Sequence, residues 1–146
     1  MRQRLLSTEE LQRKIIYTIT VFVLLSSQSL SQPQASLVPV GSLDSVGFAK
    51  VRLNGKYSLI EFGGRNCIPC RQMQPLLAEL SAKYAQTVNI FNVYMDKERE
   101  LFREYRIALI PTQIIFDTSG KEIARHVGYW EKDKLMSELR RLRVLP

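Results

Sequence analysis

The sequence predicts an α/β fold with a central mixed β-sheet flanked by helices, and three observations carry that prediction. First, a short apolar run, Tyr57–Phe62, reads as a buried strand, and the pair Gly63-Gly64 then lets the chain turn sharply. Met73, Leu76, Leu77, Leu80 and Tyr84 follow at helical spacing. Second, strand-like and helix-like stretches alternate onward from there, and a strand–helix–strand unit implies parallel neighbours joined by a right-handed crossover. Third, Asp117-Thr118-Ser119-Gly120 is a hairpin turn signal between two strand runs. Parallel strands need cover on both faces, so helices are expected above and below the sheet.

Taken in order, Arg2, Arg4, Arg13 and Lys14 precede an apolar run, Ile15 to Leu25, and a Ser/Gln-rich stretch runs from Ser26 to Ser36. Basic, then apolar, then small and polar is the order of a secretory signal peptide. The apolar run has eleven residues, whereas a spanning helix needs about 20. Residues 1–31 are therefore read as a signal peptide or an N-terminal membrane anchor built on 15–25, residues 32–42 as a linker, and 43–146 as the folded domain. Small residues at Ser29 and Ser31 suit cleavage before Gln32. Export, to the periplasm or another extracytoplasmic space, would put the cysteines where disulfides persist.

Within the domain, Asp44–Leu53 carries a weak helical pattern, and Asn54-Gly55 is a turn. Arg71–Gln86 is the helix after the first strand, interrupted by Pro75, which removes one backbone hydrogen bond. Val88–Met95 alternates and is rich in β-branched and aromatic residues, so it reads as a strand. Asp96–Tyr105 reads as a short helix with Asp96 as N-cap. Gln113–Phe116 and Glu122–Val127 are the strands of the hairpin, and Glu131–Leu142 is a closing amphipathic helix built on Leu135, Met136, Leu139 and Leu142.

The formal charge is +7, of which +2 lies before Gln32. Such a surface favours acidic partners or anionic membranes. No basic stripe interleaved with aromatics is present, so nucleic acid is not an expected partner. There are only two cysteines, Cys67 and Cys70, so a multi-disulfide framework is excluded.

Those two cysteines stand where strand passes to helix. Cys67 falls at the mouth of the helix, where free N–H groups and the macrodipole favour an anion and a thiol loses its proton most easily. Cys70 lies one turn on, within reach for a bridge. Pro69 suits the first helical turn. The pattern therefore points to thiol–disulfide exchange, with Cys67 as nucleophile and Cys70 as resolving thiol. Three other readings compete. A structural disulfide would close too small a loop to constrain the unfolded chain much. Zinc wants four ligands, and beyond the two cysteines the chain offers one distant His126. A redox-silent binding or scaffold module is the third.

Residues from about Asp44 to Leu142 resemble a thioredoxin-family domain. The resemblance is carried by Phe62, Cys67-Ile68-Pro69-Cys70, Met73, Pro75, Ile110-Pro111-Thr112 and Gly128. It implies a thioredoxin-like fold and a cis peptide at Ile110-Pro111. It also implies that Pro111 faces the cysteines and that Ile110 offers backbone groups to an extended substrate. Glu61 takes the place of the family's buried aspartate, and the resemblance implies that it exchanges protons with Cys70. The family's two tryptophans are replaced by Gly63 and Asn66, and its lysine partner by Asn92, so the chain looks like a divergent, exported member.

In this family a proline before the second cysteine is typical of reductants, so Pro69 implies a protein-disulfide reductase that needs no cofactor. The implied partners are protein disulfides and, for an exported reductase, a membrane thiol-electron transporter; a monomer is expected. Arg65 and Arg71 flank the dithiol and are candidates for favouring the Cys67 thiolate. His126 reads as an ordinary strand residue, Tyr129 and Trp130 as a cap on the core, and Arg140, Arg141 and Arg143 as cations suited to a helix C-terminus.

Overall fold

The computed structural model describes residues 38–146, together with the isolated positions Glu9, Gln12 and Arg13. Apart from those three positions, the expected leader or anchor lies outside the described residues, as does the expected linker up to residue 37. Among the described residues no helix is long and apolar enough to cross a membrane.

Helix α1 (Ser45–Arg52) starts at Asp44, whose carboxylate accepts from the Gly47 N–H at 2.7 Å. Strand β1 (Tyr57–Gly63) leads into α2 (Ile68–Tyr84), β2 (Val88–Tyr94) and the short α3 (Arg99–Glu104). The hairpin β3 (Thr112–Phe116) and β4 (Glu122–Val127) comes next, and α4 (Lys132–Arg141) closes the domain. The sheet order is β2-β1-β3-β4; β1 and β2 run parallel, and the other two pairings are antiparallel. This is the mixed sheet the sequence predicts. The chain before α1 runs alongside β2: Asn92 N–H donates to the Gly41 carbonyl and Leu43 N–H to the Asn92 carbonyl.

Strand alternation sorts the core into two layers. Leu59, Ile90 and Ile115 face α2 and α4, where they meet Met73, Leu77, Leu80, Leu135 and Leu139. Ile60, Phe62, Val93, Ile114 and Phe116 face the other way, onto Phe48 of α1 and Leu101 and Phe102 of α3. On that second face Phe48, Phe62, Phe102, Tyr105 and Phe116 pack mostly edge to face, with ring centroids 5.1 to 6.0 Å apart. Each fully buried side chain of this kind contributes about 1.5–3 kcal/mol by leaving water. The sheet is thus clamped between two apolar layers, which fixes the C-terminal end of β1 and the head of α2 relative to each other.

At the hairpin, Asp117 Oδ1 accepts from the backbone N–H groups of Ser119 and Lys121. Gly120 has a φ of +83°, and a Cβ there would lie 2.9 Å from the Arg52 carbonyl oxygen, so only glycine fits. One expected cap is corrected. Asp96 does not cap α3; the helix begins at Arg99, after Glu98, which makes no side-chain cap bond. The reason is a turn in which the N–H groups of Lys97 and Glu98 both bond to the Tyr94 carbonyl, leaving the Asp96 carboxylate to face Arg65 at 3.6 Å.

Candidate active site

The site lies where β1 ends and α2 begins. Gly63 and Gly64 carry the chain off the sheet, and Cys67 occupies the N-cap position of α2 with extended backbone. Its sulfur accepts a hydrogen bond from the Cys70 N–H at 3.2 Å. This is the usual N-cap arrangement with sulfur in place of oxygen: an orphan donor of the first turn is satisfied by the residue before it. Pro69 sits in that first turn, where its missing N–H leaves no intrahelical bond unmade. The two sulfurs are joined in a disulfide. They differ in environment: Cys67 is half-buried at the surface, whereas Cys70 is only 3% exposed.

Beside Cys67 lies an open cavity of about 580 Å³, lined also by Ile110, Met95, Arg65, Asp96 and Arg99. Ile68, the first residue of α2, and Leu109, in the loop before β3, are both exposed. The Ile110-Pro111 peptide is cis, and Pro111 is buried. A Cβ added to Gly64 would come within 3.0 Å of Ile110 Cδ1 and 3.7 Å of Cys67 Cβ, so Gly64 is the point where the loop before β3 meets the dithiol loop. Arg65 is held by Asp96 and by the Tyr94 ring, whose centroid is 5.0 Å from its guanidinium carbon. Arg71 is exposed.

Beneath the dithiol, Glu61 is 1% exposed, on the face of the sheet that packs against α2. The site that a Gly63 Cβ would occupy is 3.4 Å from both Cys70 Sγ and Glu61 Oε1, which puts those two atoms less than about 7 Å apart. Glu61 Oε1 accepts from Gln74 Nε2 at 3.0 Å, and Oε2 accepts from Gln113 Nε2 at 3.1 Å. Burial pushes its pKa from 4.5 up to about 7, while the two amide hydrogen bonds pull it down. Asn92, buried opposite Glu61 on β2, exchanges hydrogen bonds with Gln74. Gln74 and Gln113 were not singled out in the sequence. A glutamine opening an otherwise apolar strand run was the available signal for Gln113.

His126 does not reach the dithiol. It stacks on Trp130 with ring centroids 4.3 Å apart, and its Nε2 lies 3.2 Å from the Tyr129 carbonyl oxygen. Trp130 is buried, with its backbone N–H donating to Met73 Sδ at 3.3 Å, while Tyr129 is exposed. Arg141 pairs with Glu138. Among the described residues no group of three His, Cys, Asp or Glu side chains is placed to hold a metal ion.

A mixed sheet with helices on both faces and a bridged Cys-x-x-Cys at the head of a helix define a thiol–disulfide oxidoreductase. The thioredoxin family model matches residues 42–141, and the chain belongs to the thioredoxin family. Thioredoxin from Alicyclobacillus acidocaldarius is 30% identical over 98 residues, which cover 67% of this chain and 92% of that protein. The bifunctional thioredoxin reductase/thioredoxin of Mycobacterium leprae is 27% identical over 113 residues, 77% of this chain but only 24% of that longer protein. In structure, the chain is similar to oxidised mitochondrial thioredoxin 3 of Saccharomyces cerevisiae, with a TM-score of 0.62 at 21% identity over 70% of this chain and 94% of that one. It is equally similar to Plasmodium falciparum thioredoxin, with a TM-score of 0.63 at 18% identity over 70% and 98%.

The state of Glu61 makes stability depend on pH. Its folded pKa is raised, so the native protein keeps a proton that the unfolded chain releases between pH 4.5 and about 7. Stability from this group is greatest below that window and falls by about 3 kcal/mol as pH rises through it. Denaturant unfolding of wild type and Glu61→Gln at about pH 4 and about pH 8 checks this. The wild type should lose that stability relative to the variant over the interval.

Proposed function

We propose that this oxidoreductase is an exported reductant of protein disulfides, with Cys67 and Cys70 as its redox couple and Glu61 as the proton acceptor for Cys70. The observation that carries the reading is the difference between the sulfurs: Cys67 accessible and bonded to a helix N–H, Cys70 buried beside a carboxyl.

In the reduced protein the Cys67 thiolate attacks a substrate disulfide. One substrate sulfur leaves as thiolate and takes up a proton, and a mixed disulfide joins Cys67 to the other. The Cys70 thiol gives its proton to the Glu61 carboxylate, and the resulting thiolate attacks Cys67 Sγ. The second substrate sulfur leaves, the Cys67–Cys70 bond forms, and two electrons have passed to the substrate. A Glu61 pKa of about 7 lets the carboxyl take that proton and return it near neutrality. The backbone of Ile110, beside buried Pro111, supplies pairing groups for an extended substrate segment laid along the cavity. Pro69 supports the reducing direction, and the basic–apolar–polar order of residues 1–36 supports export by a signal peptide or anchor. An exported reductant draws electrons across the membrane, so a membrane thiol-electron transporter is the fitting donor.

Insulin reduction with a small dithiol as donor tests the chemistry. Wild type should accelerate it, Cys67→Ser should abolish the acceleration, and Cys70→Ser should accumulate a mixed disulfide with substrate; equal inertness of all three would favour a redox-silent binding module. Export is tested by fusing residues 1–42 to a reporter enzyme that matures only outside the cytoplasm. Reporter activity is expected, and a silent fusion, made but inactive, would count against it.

A further inference from the structure

One row of directly opposed residues crosses the sheet under α2: Asn92 on β2, Glu61 on β1, Gln113 on β3 and His126 on β4. Three amides surround Glu61, and their hydrogen bonds are not equivalent. Asn92 Nδ2 donates to the Val40 carbonyl at 3.3 Å and to Gln74 Oε1 at 2.9 Å, while Asn92 Oδ1 accepts from Gln74 Nε2 at 3.1 Å. Each amide in this fork fixes the orientation of the other. Gln74 therefore has one N–H left, which reaches Glu61 Oε1 at 3.0 Å with the Cys70 carbonyl oxygen more distant at 3.5 Å. Turning the Gln74 amide alone would break both bonds of the fork, and turning it together with Asn92 would break the Asn92 bond to the Val40 carbonyl, so Gln74 is held as a donor.

Gln113 is different. It is 0% exposed, its Nε2 donates to Glu61 Oε2, and its Oε1 is buried without a hydrogen-bond partner. An orphan acceptor in a buried site is costly, and here it belongs to the same amide that already touches the carboxyl. A protonated Glu61 must place one buried O–H. The oxygens of Asn92 and Gln74 are already committed to the fork. We propose that the Gln113 amide is a two-way positioning partner of Glu61: it donates through Nε2 to the carboxylate and, turned half a revolution about its terminal bond, accepts through Oε1 from the carboxylic acid. The exchange makes and breaks hydrogen bonds only. In each protonation state Glu61 keeps one fixed donor, Gln74, and one partner of matching polarity, Gln113. In neither state is the Glu61 carboxyl itself left unpaired, which is what a carboxyl that takes up and releases a proton in each turnover needs; the outer end of the Gln113 amide stays without a partner, Oε1 in one state and Nε2 in the other. This rests on the proposed role of Glu61 toward Cys70.

The other titratable groups that bear on Glu61 are the Cys70 thiol from α2 and Tyr94 on β2, whose ionisation Glu61 opposes. His126 lies two strands away and faces the Tyr129 carbonyl. Among the described residues no cation is hydrogen-bonded to Glu61, so its balance is set by burial, which favours the acid, against the two amide hydrogen bonds, which favour the carboxylate.

Carbon-13 NMR of the Glu61 carboxyl in the reduced full-length protein follows the titration directly, and the Gln113 side-chain amide is observed alongside. The Gln113 N–H that is hydrogen-bonded in the carboxylate form should lose its downfield shift with the same midpoint as the carboxyl, while the Gln74 amide keeps its hydrogen-bonded position. Gln113→Met should raise the midpoint by about one unit, because the carboxylate loses a charge-assisted bond and the acid only a weaker neutral one. The pH profile of mixed-disulfide resolution should shift alkaline with it. A Gln113 amide that holds its position through the titration, or a midpoint unmoved in Gln113→Met, overturns the proposal; the first needs no variant. If instead Glu61→Gln resolves mixed disulfides at the wild-type rate, the role of Glu61 in catalysis fails, and the carboxyl titration still decides whether Gln113 responds to it.

Discussion

The hydrogen bond from the Cys70 N–H to Cys67 Sγ ties the chemistry to the fold. It exists because β1 ends in two glycines, because Cys67 takes extended backbone at the N-cap, and because α2 is pinned to the sheet along Met73, Leu77 and Leu80. A sulfur so placed sees a backbone donor and the positive end of the helix, both of which favour the thiolate over the thiol. The same turn that presents Cys67 points Cys70 inward, so one helix start yields a reachable sulfur, suited to the proposed nucleophile, and a shielded one, suited to the proposed resolving thiol.

Below that pair the protein departs from ordinary core construction. Glu61 stands between Ile60 and Phe62 on a buried strand, and its neighbours in register are Asn92 and Gln113 rather than a cation. An ion pair would have held the carboxylate charged. Amides leave desolvation as the larger influence, and the carboxyl is poised near neutrality. The aromatic layer on the opposite face and the aliphatic layer around the polar row supply the apolar surroundings that make this possible.

Much of this architecture is readable from sequence because it rests on local signals. The alternation of Val88–Tyr94, the Asp117–Gly120 turn and the spacing of apolar residues along α2 and α4 each report their own conformation. The dithiol is readable for the same reason, being one short stretch at a strand-to-helix junction. Glu61 is visible as a charge inside an apolar strand. Of its partners, Asn92 is visible only through the resemblance, at the place of the family's lysine; Gln74 and Gln113 are not, because they join it only through strand register and helix docking, which no local pattern encodes. Asp96 shows the opposite failure: a good capping residue before a helical stretch was diverted to Arg65 when the chain first made a turn at Tyr94.

The fold sets two neighbouring thiols apart by burying one and leaving the other reachable at a helix start. The most direct measurement is the rate at which each is alkylated in the reduced, folded protein at neutral pH, mapped by mass spectrometry. Cys67 should react rapidly and Cys70 only after unfolding. Equal rates, or a Cys70 that reacts first, would contradict the account.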